Sequence, residues 1–450
     1  MTMLALFKEK IDQWVRHNET KQAPYLVRLE TPLFPEVSVL DRIMAFEIAE
    51  RFYYRAKDED FIIGGLGSAL VMEGDSAADI LNGLDRLWEA DETVPVFGGF
   101  SFFSDEDAAF EWTPFGRFRF TLPLVEIRSG HGDIRIAVQY INKKGYKAAG
   151  VARDLRQALE SLDAAYRVPP PLMPPAIAKK DLIPGKAEWN NMIKKALQTI
   201  KAGDLQKIVL ARKKIITHRD LWDPGQIIRA MAEIHENSFT FFYQIEDHIA
   251  FLGRSPERLF RMEDSHVQAE AIAGTRPRGK TAQEDERLEG ELLNSQKELE
   301  EHRFVAGFMV NAMNRICRDV RTVSSEETLK LKNVQHIITR FTGRSPQYQT
   351  PLSIAQVFHP TPAVGGYPQE GISGYIKTAE PFGRGWYAAP IGWMNKKNAD
   401  FAVGIRSALV NRSALHIYAG AGIVRQSNAH AEWNETEEKM DNFAAVLGDV

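Results

Sequence analysis

Residues 419–440 read AGAGIVRQSNAHAEWNETEEKM. Gly420-Ala421-Gly422, within a region of apolar strands at 387–424, reads as a small-residue turn that lets backbone N–H groups come close to a ligand. A polar loop follows, then a helical run in which Glu432 and Glu435 are three apart and share one helical face. The run Lys297-Glu298-Leu299-Glu300-Glu301-His302 repeats that spacing with Glu298 and Glu301. Two helices that each present a carboxylate pair carry the oxygen ligands that Mg²⁺ takes together with water. Each cluster alone reads more simply as a solvated helix face. Glu435 and Lys439 also have the i,i+4 order that stabilises an exposed helix.

Outward from that stretch, strands and helices interleave without the regular spacing of βαβ units. Amphipathic patterns place helices at 4–15, 77–88, 147–162, 187–202, 284–318 and 352–358. Apolar or alternating runs place strands at 25–29, 118–128, 134–141, 206–212 and 239–252, and 94–103 is a strand kinked at a double glycine. FIIGGLG at 61–67 lacks the lysine and spacing of a phosphate loop and reads as a tightly turning strand. RVPPPLMPP at 167–175 can continue neither a helix nor a central strand, so it reads as a stiff crossing. It divides an N-terminal region, 1–170, from a C-terminal region, 185–450, that carries the chemistry, the two forming one intertwined unit. The expected fold class is α+β, with large antiparallel sheets flanked by helices.

With 44% hydrophobic and 26% charged residues, the 450-residue chain can bury a large core. Its formal charge of -4 lacks the basic excess of a general nucleic-acid binder. The single cysteine, Cys317, sits among apolar neighbours; it excludes an internal disulfide framework and points to a reducing compartment. Lys8, Glu9 and Lys10 interrupt any signal-peptide core, and no window is apolar enough to span a bilayer. A cytoplasmic protein is expected, with no nucleic-acid or membrane partner, as a monomer or weak homodimer.

Several residues have chemical potential beyond packing. Lys207 is in phase with Val209 and Ala211; a desolvated lysine serves as a general base, whereas an edge lysine simply reaches for water. In Gly253-Arg-Ser-Pro-Glu257, Ser255 reads as an N-cap, Pro256 as the first helical residue and Glu257 as a first-turn acid. A helix start favours the carboxylate, so Glu257 needs burial or a neighbouring charge to act as a general acid. AEAIAGTRPRG at 269–279 exposes Gly274 and Thr275 after a strand. Arg406 lies within an apolar strand, FAVGIRS, and requires a carboxylate, either from the protein or from a substrate.

Taken in order, QKIVLAR, GRSPERLF, AIAGTRPRG, KELEEH, HPTPAVGGYP, RGWYAAPIGW, FAVGIRSALV, YAGAGIV and EWNETEEK closely resemble the chorismate-utilising enzyme family. The resemblance is strong from about residue 187 onward and loose before it. It implies an α+β fold of two stacked antiparallel sheets with outer helices, and Mg²⁺-bound chorismate as the small-molecule substrate. Family members differ in the nucleophile they add to the ring. Ala273 stands where aminodeoxychorismate synthases commonly carry a nucleophilic lysine, and Lys207 stands where anthranilate synthases lack one. HPTPAVGG at 359–366 resembles the isochorismate synthase version, with His359, Ala363 and Val364 the positions that usually differ in salicylate synthases.

The resemblance therefore implies isochorismate synthesis, with the long N-terminal region pointing to menaquinone biosynthesis. Lys207 would activate water for attack at C2, and Glu257 would protonate the departing C4 hydroxyl. Glu301 and Glu435 would hold Mg²⁺, with Glu298 and Glu432 as direct or water-mediated partners. Tyr387 and Arg406 would hold the enolpyruvyl carboxylate near the backbone of Gly420 and Gly422. Gly274 and Thr275 would line the ring, Lys439 would lie near the ring carboxylate, and Ala363 and His359 would contact substrate, a buried structural role being the alternative for His359. A salicylate synthase, an anthranilate synthase large subunit and a non-catalytic chorismate- or Mg²⁺-binding regulator are the alternatives.

Overall fold

The computed structural model describes all residues except 1, 20, 34–36, 58–60, 104, 106–108, 131, 169–175, 235–236, 331–333, 347–348 and 445–450. The proline crossing expected at 167–175 lies mostly outside the described residues. Among the described residues, nineteen strands pair into one continuous hydrogen-bonded sheet, every ladder antiparallel. The sheet branches at the long strand Phe118–Gly130, which pairs with Ile62–Gly74, Val96–Phe100 and Asp133–Ile141. One arm continues from Ile62–Gly74 through Arg51–Arg55, Phe239–Glu246, Ile249–Ser255, Ser407–Asn411 and Ala414–Val424 to Lys207–His218. The other continues from Val96–Phe100 through Pro390–Met394, Ala399–Val403, Arg258–Glu263 and His266–Pro277 to Val334–Arg344 and Arg318–Lys330.

Side chains alternate across a strand, so a strand buried on both faces feeds two cores. Phe52 and Tyr54 enter the core between the arms, and Tyr53 enters the core on the other face. Phe241 and Tyr243 divide from Phe242 in the same way. The inner core joins both arms through aromatic contacts such as Phe97 with Phe52 and Phe97 with Tyr243. The outer core seats helices Met3–Asn18, Val39–Met44, Ala148–Ala164 and Pro224–Ala232 through Phe7, Ile43, Leu155 and Ile228. Helices Gln296–Ile316 and Ala429–Ala444 pack against His266–Pro277 and Ala414–Val424, which brings the two carboxylate pairs to the sheet.

Local readings change in five places. Residues 61–67 do not turn but run on within Ile62–Gly74; Gly67, at φ +61°, marks a bulge where the register shifts between Ser68 and Leu70. Gly420 and Gly422 are likewise inside a strand and not at a turn. The helix expected at 284–318 is two, Ala282–Leu293 and Gln296–Ile316, because Ser295 caps the second by accepting from the Glu298 N–H. No helix begins at Ser255: its hydroxyl accepts from the Glu257 N–H at 3.1 Å, and the chain turns directly into strand Arg258–Glu263. Arg406 lies outside the strands, at a bend between Ala399–Val403 and Ser407–Asn411 with φ +48°. Among the described residues, no helix is long and apolar enough to cross a membrane.

Candidate active site

Lys207 is the first residue of its strand, paired across to Tyr367 on one side and Val424 on the other. Its phase with Val209 holds: both face a cavity of about 560 Å³. Lys207 is only 3% exposed, and its Nζ meets Glu301 Oε1 at 2.7 Å. Gly422 makes room for that pair, since a Cβ there would stand 3.0 Å from Lys207 Cε and 3.9 Å from Glu301 Oε1. A Cβ on Gly420 would meet the Tyr387 hydroxyl at 3.1 Å. The two glycines thus serve close approach of side chains, not a turn.

Glu257 reaches the same cavity from the two-residue link after Ser255. Burial pushes its carboxyl up to about 7, against the Thr361 hydroxyl, which donates to Oε1 at 3.3 Å, and the charge of nearby Lys207. The conflict between a helix start and a protonated acid disappears with the helix. A buried lysine amine and a carboxyl that keeps its proton near neutrality therefore face one space.

Gly274, at φ +78°, forms a bulge opposite Ile337 and His336, and a Cβ there would press on Glu298 Cβ at 3.2 Å. The bulge turns the Thr275 N–H toward Glu298 Oε2 at 3.3 Å, while Arg276 donates to Oε1 at 2.9 Å. On the second helix, Glu435 pairs with Lys439 at 2.6 Å, and Lys439 also donates to the Gly420 carbonyl at 2.9 Å. Burial, together with the adjacent Glu435 carboxylate, raises the Glu432 pKa. All four glutamates line the cavity, with Ala363, Tyr387 and Arg406 on its other walls. Tyr387 stacks on Tyr418, ring centroids 5.1 Å apart, and burial pushes its phenol well up.

His359 is the one expected residue that does not line this cavity. Its ring meets Phe100 and Phe102 edge-on, and its Nε2–H donates to the Phe102 carbonyl at 3.0 Å. That apolar wrapping drops its pKa to about 4 and keeps it neutral. His336 does line the cavity and was not expected. It bonds to the Thr275 hydroxyl at 3.0 Å, and burial and Arg406 lower its pKa to about 4. The only sequence signal for it is strand register, which sets residues 336 and 275 opposite each other.

As the side chains stand, no group of three or more His, Cys, Asp or Glu among the described residues is assembled to hold a metal ion. The donor chemistry nevertheless suits Mg²⁺, which needs only one or two carboxylates beside waters. Glu301 and Glu435 are each satisfied by a lysine that a cation would replace, and Glu432 lies beside the Glu435 carboxylate, with the Ser427 hydroxyl and Lys297 opposing that like charge.

An antiparallel two-armed sheet around a cavity that brings Lys207 and the neutral Glu257 carboxyl together with the glutamates at 298, 301, 432 and 435 marks an enzyme. The chain belongs to the chorismate binding enzyme family, whose pattern it matches over residues 9–448. It is 32% identical to isochorismate synthase MenF of Bacillus subtilis, over 78% of this chain and 74% of that one. It is 31% identical to the chloroplastic isochorismate synthase 2 of Arabidopsis thaliana, over 94% of this chain and 80% of that one. The structure of MenF, the menaquinone-specific isochorismate synthase of Escherichia coli, superposes with a TM-score of 0.85 at 23% identity, covering 98% and 99% of the two chains. That superposition confirms the expected fold.

Proposed function

We propose that the protein is an isochorismate synthase that adds water at C2 of chorismate and releases the C4 hydroxyl, serving menaquinone biosynthesis. The observation that carries the reading is the opposed pair, Lys207 and Glu257, facing one cavity with the Glu257 carboxyl holding its proton near neutrality. Relatives named as isochorismate synthases that align across most of this chain support it. Glu257, protonated below about 7, donates to the departing hydroxyl; Thr361 keeps the carboxyl aimed. Lys207 takes the proton of the attacking water as a neutral amine, so its ion pair with Glu301 must first part and its own ammonium proton pass to solvent. Ala273 and Ala363 leave the ring space for water. Arg406 and Tyr387 hold the enolpyruvyl carboxylate, and Lys439 lies toward the ring carboxylate.

Glu301 and Glu435 would hold Mg²⁺, with Glu298 and Glu432 direct or through water; bound there, the ion would neutralise the ring carboxylate. Glu298 is the less available, because Arg276 and the Thr275 N–H already occupy both its oxygens.

The test is to incubate the purified protein with chorismate and Mg²⁺, without ammonia, and resolve the products by chromatography. The expected outcome is isochorismate in equilibrium with chorismate, abolished by EDTA, with Glu435→Gln needing more Mg²⁺ for half-maximal rate. Salicylate with pyruvate, or turnover only with ammonia, would overturn the assignment.

A further inference from the structure

The link Pro256–Glu257 is two residues long, so its backbone dictates where the Glu257 carboxyl points. Three contacts fix that backbone. The Glu257 N–H donates to Ser255 Oγ at 3.1 Å, and the Val403 N–H donates to the Glu257 carbonyl at 3.1 Å. The third contact comes from 199 residues earlier: Lys57, just beyond strand Arg51–Arg55, donates from Nζ to the Pro256 carbonyl at 3.2 Å.

Lys57 is also one end of a buried row of alternating charge. Its Nζ lies 2.6 Å from Glu270 Oε2; Glu270 Oε1 lies 3.6 Å from an Arg258 amino nitrogen, and Arg258 Nε lies 3.0 Å from Asp400 Oδ1. The four side chains are 4–12% exposed, and Phe239 lies under both cations, 5.7 and 5.1 Å from its ring centre. None of the four lines the catalytic cavity. The row carries no net charge, so it can sit beside a titrating carboxyl without biasing it strongly, provided that it stays complete.

We propose that Lys57 is a positioning residue of this reaction, holding the Pro256 carbonyl so that the Glu257 carboxyl stays aimed, and balancing Glu270 so that the buried row beside that carboxyl stays without net charge. The proposal rests on the reading of Glu257 as the general acid. The groups that face Glu257 are the Thr361 hydroxyl, Lys207 from its strand, Lys57 and Glu270. Lys57 holds the carboxyl's pKa down and Glu270 pushes it up, so deleting either leaves the other unopposed.

The experiment is the pH dependence of kcat in four variants, each checked for a cooperative thermal transition. Lys57→Met should move the alkaline limb up by about one unit, and Glu270→Gln should move it down by a similar amount. Lys57→Arg should keep the wild-type limb, and so should the double variant Lys57→Met/Glu270→Gln, with kcat reduced by the lost contact to Pro256. A packing role alone would lower kcat without opposite shifts, and limbs that stay put or move together overturn the proposal. If a single variant fails to fold, the uncharged double variant decides, since an unchanged kcat there also overturns it. Glu257→Gln separates the two readings: if it retains the wild-type limb, Glu257 is not the acid, whatever Lys57 does.

Discussion

A lysine that is 3% exposed must have its charge met, and Lys207 meets it in Glu301. Removing the amine therefore deletes a reacting group and leaves the half-buried Glu301 carboxylate without its lysine. Lys207→Ala should lower kcat by about 10²–10⁴-fold while the chorismate Kd, read by calorimetry, changes only a few-fold. Glu257 sets the opposite limb. Its raised pKa keeps the active, protonated form below about 7, so kcat should hold there and fall as pH rises through that value. Glu257→Gln should abolish that limb along with most of the rate. At this scale the sequence is partly readable. The Glu spacing on two helices needs only helical periodicity, but the environment of Glu257 does not show in its neighbours, because a Ser-Pro-Glu string caps a helix as readily as it links two strands. His336 could not be read at all, since its place depends on pairing with a strand 61 residues earlier.

Among elements, the strands that arrange the cavity are buried on both faces, and their near-continuous apolar runs made them visible as strands without telling which face carries chemistry. Glycines were the harder signal. A glycine in a strand marks a turn, a bulge or a close approach alike, and all but the first occur here. Gly274→Ala should cost about 1–3 kcal/mol of stability in thermal unfolding, because its left-handed backbone and the contact with Glu298 both resist a side chain. Gly422→Ala should change stability by less than about 1 kcal/mol yet lower kcat by about tenfold, since the new methyl crowds Lys207 Cε. Equal effects on both quantities would argue against this division.

For the whole molecule, the proline run suggested two regions, whereas the ladders cross between them twice: Arg51–Arg55 pairs with Phe239–Glu246, and Val96–Phe100 with Pro390–Met394. We propose that 1–170 and 185–450 are one cooperative unit. Residues 1–168 and 176–450 produced as separate chains should each fail to fold alone and should regain activity only when co-expressed; an independently folded half with a sharp thermal transition would refute this. The antiparallel α+β class was legible from irregular interleaving of strands and helices. The branching at Phe118–Gly130 was not, because a strand with three partners reads locally like any other.

The cavity wall also stores its charges in matched couples: Lys207 with Glu301, Arg276 with Glu298, and Lys439 with Glu435. An incoming dicarboxylate finds these three cations already engaged. It enters by exchange, each new contact replacing a resident one, so the heat released on binding should be small and the site should discriminate against ligands that bring anionic groups without a cation to take over the displaced glutamates.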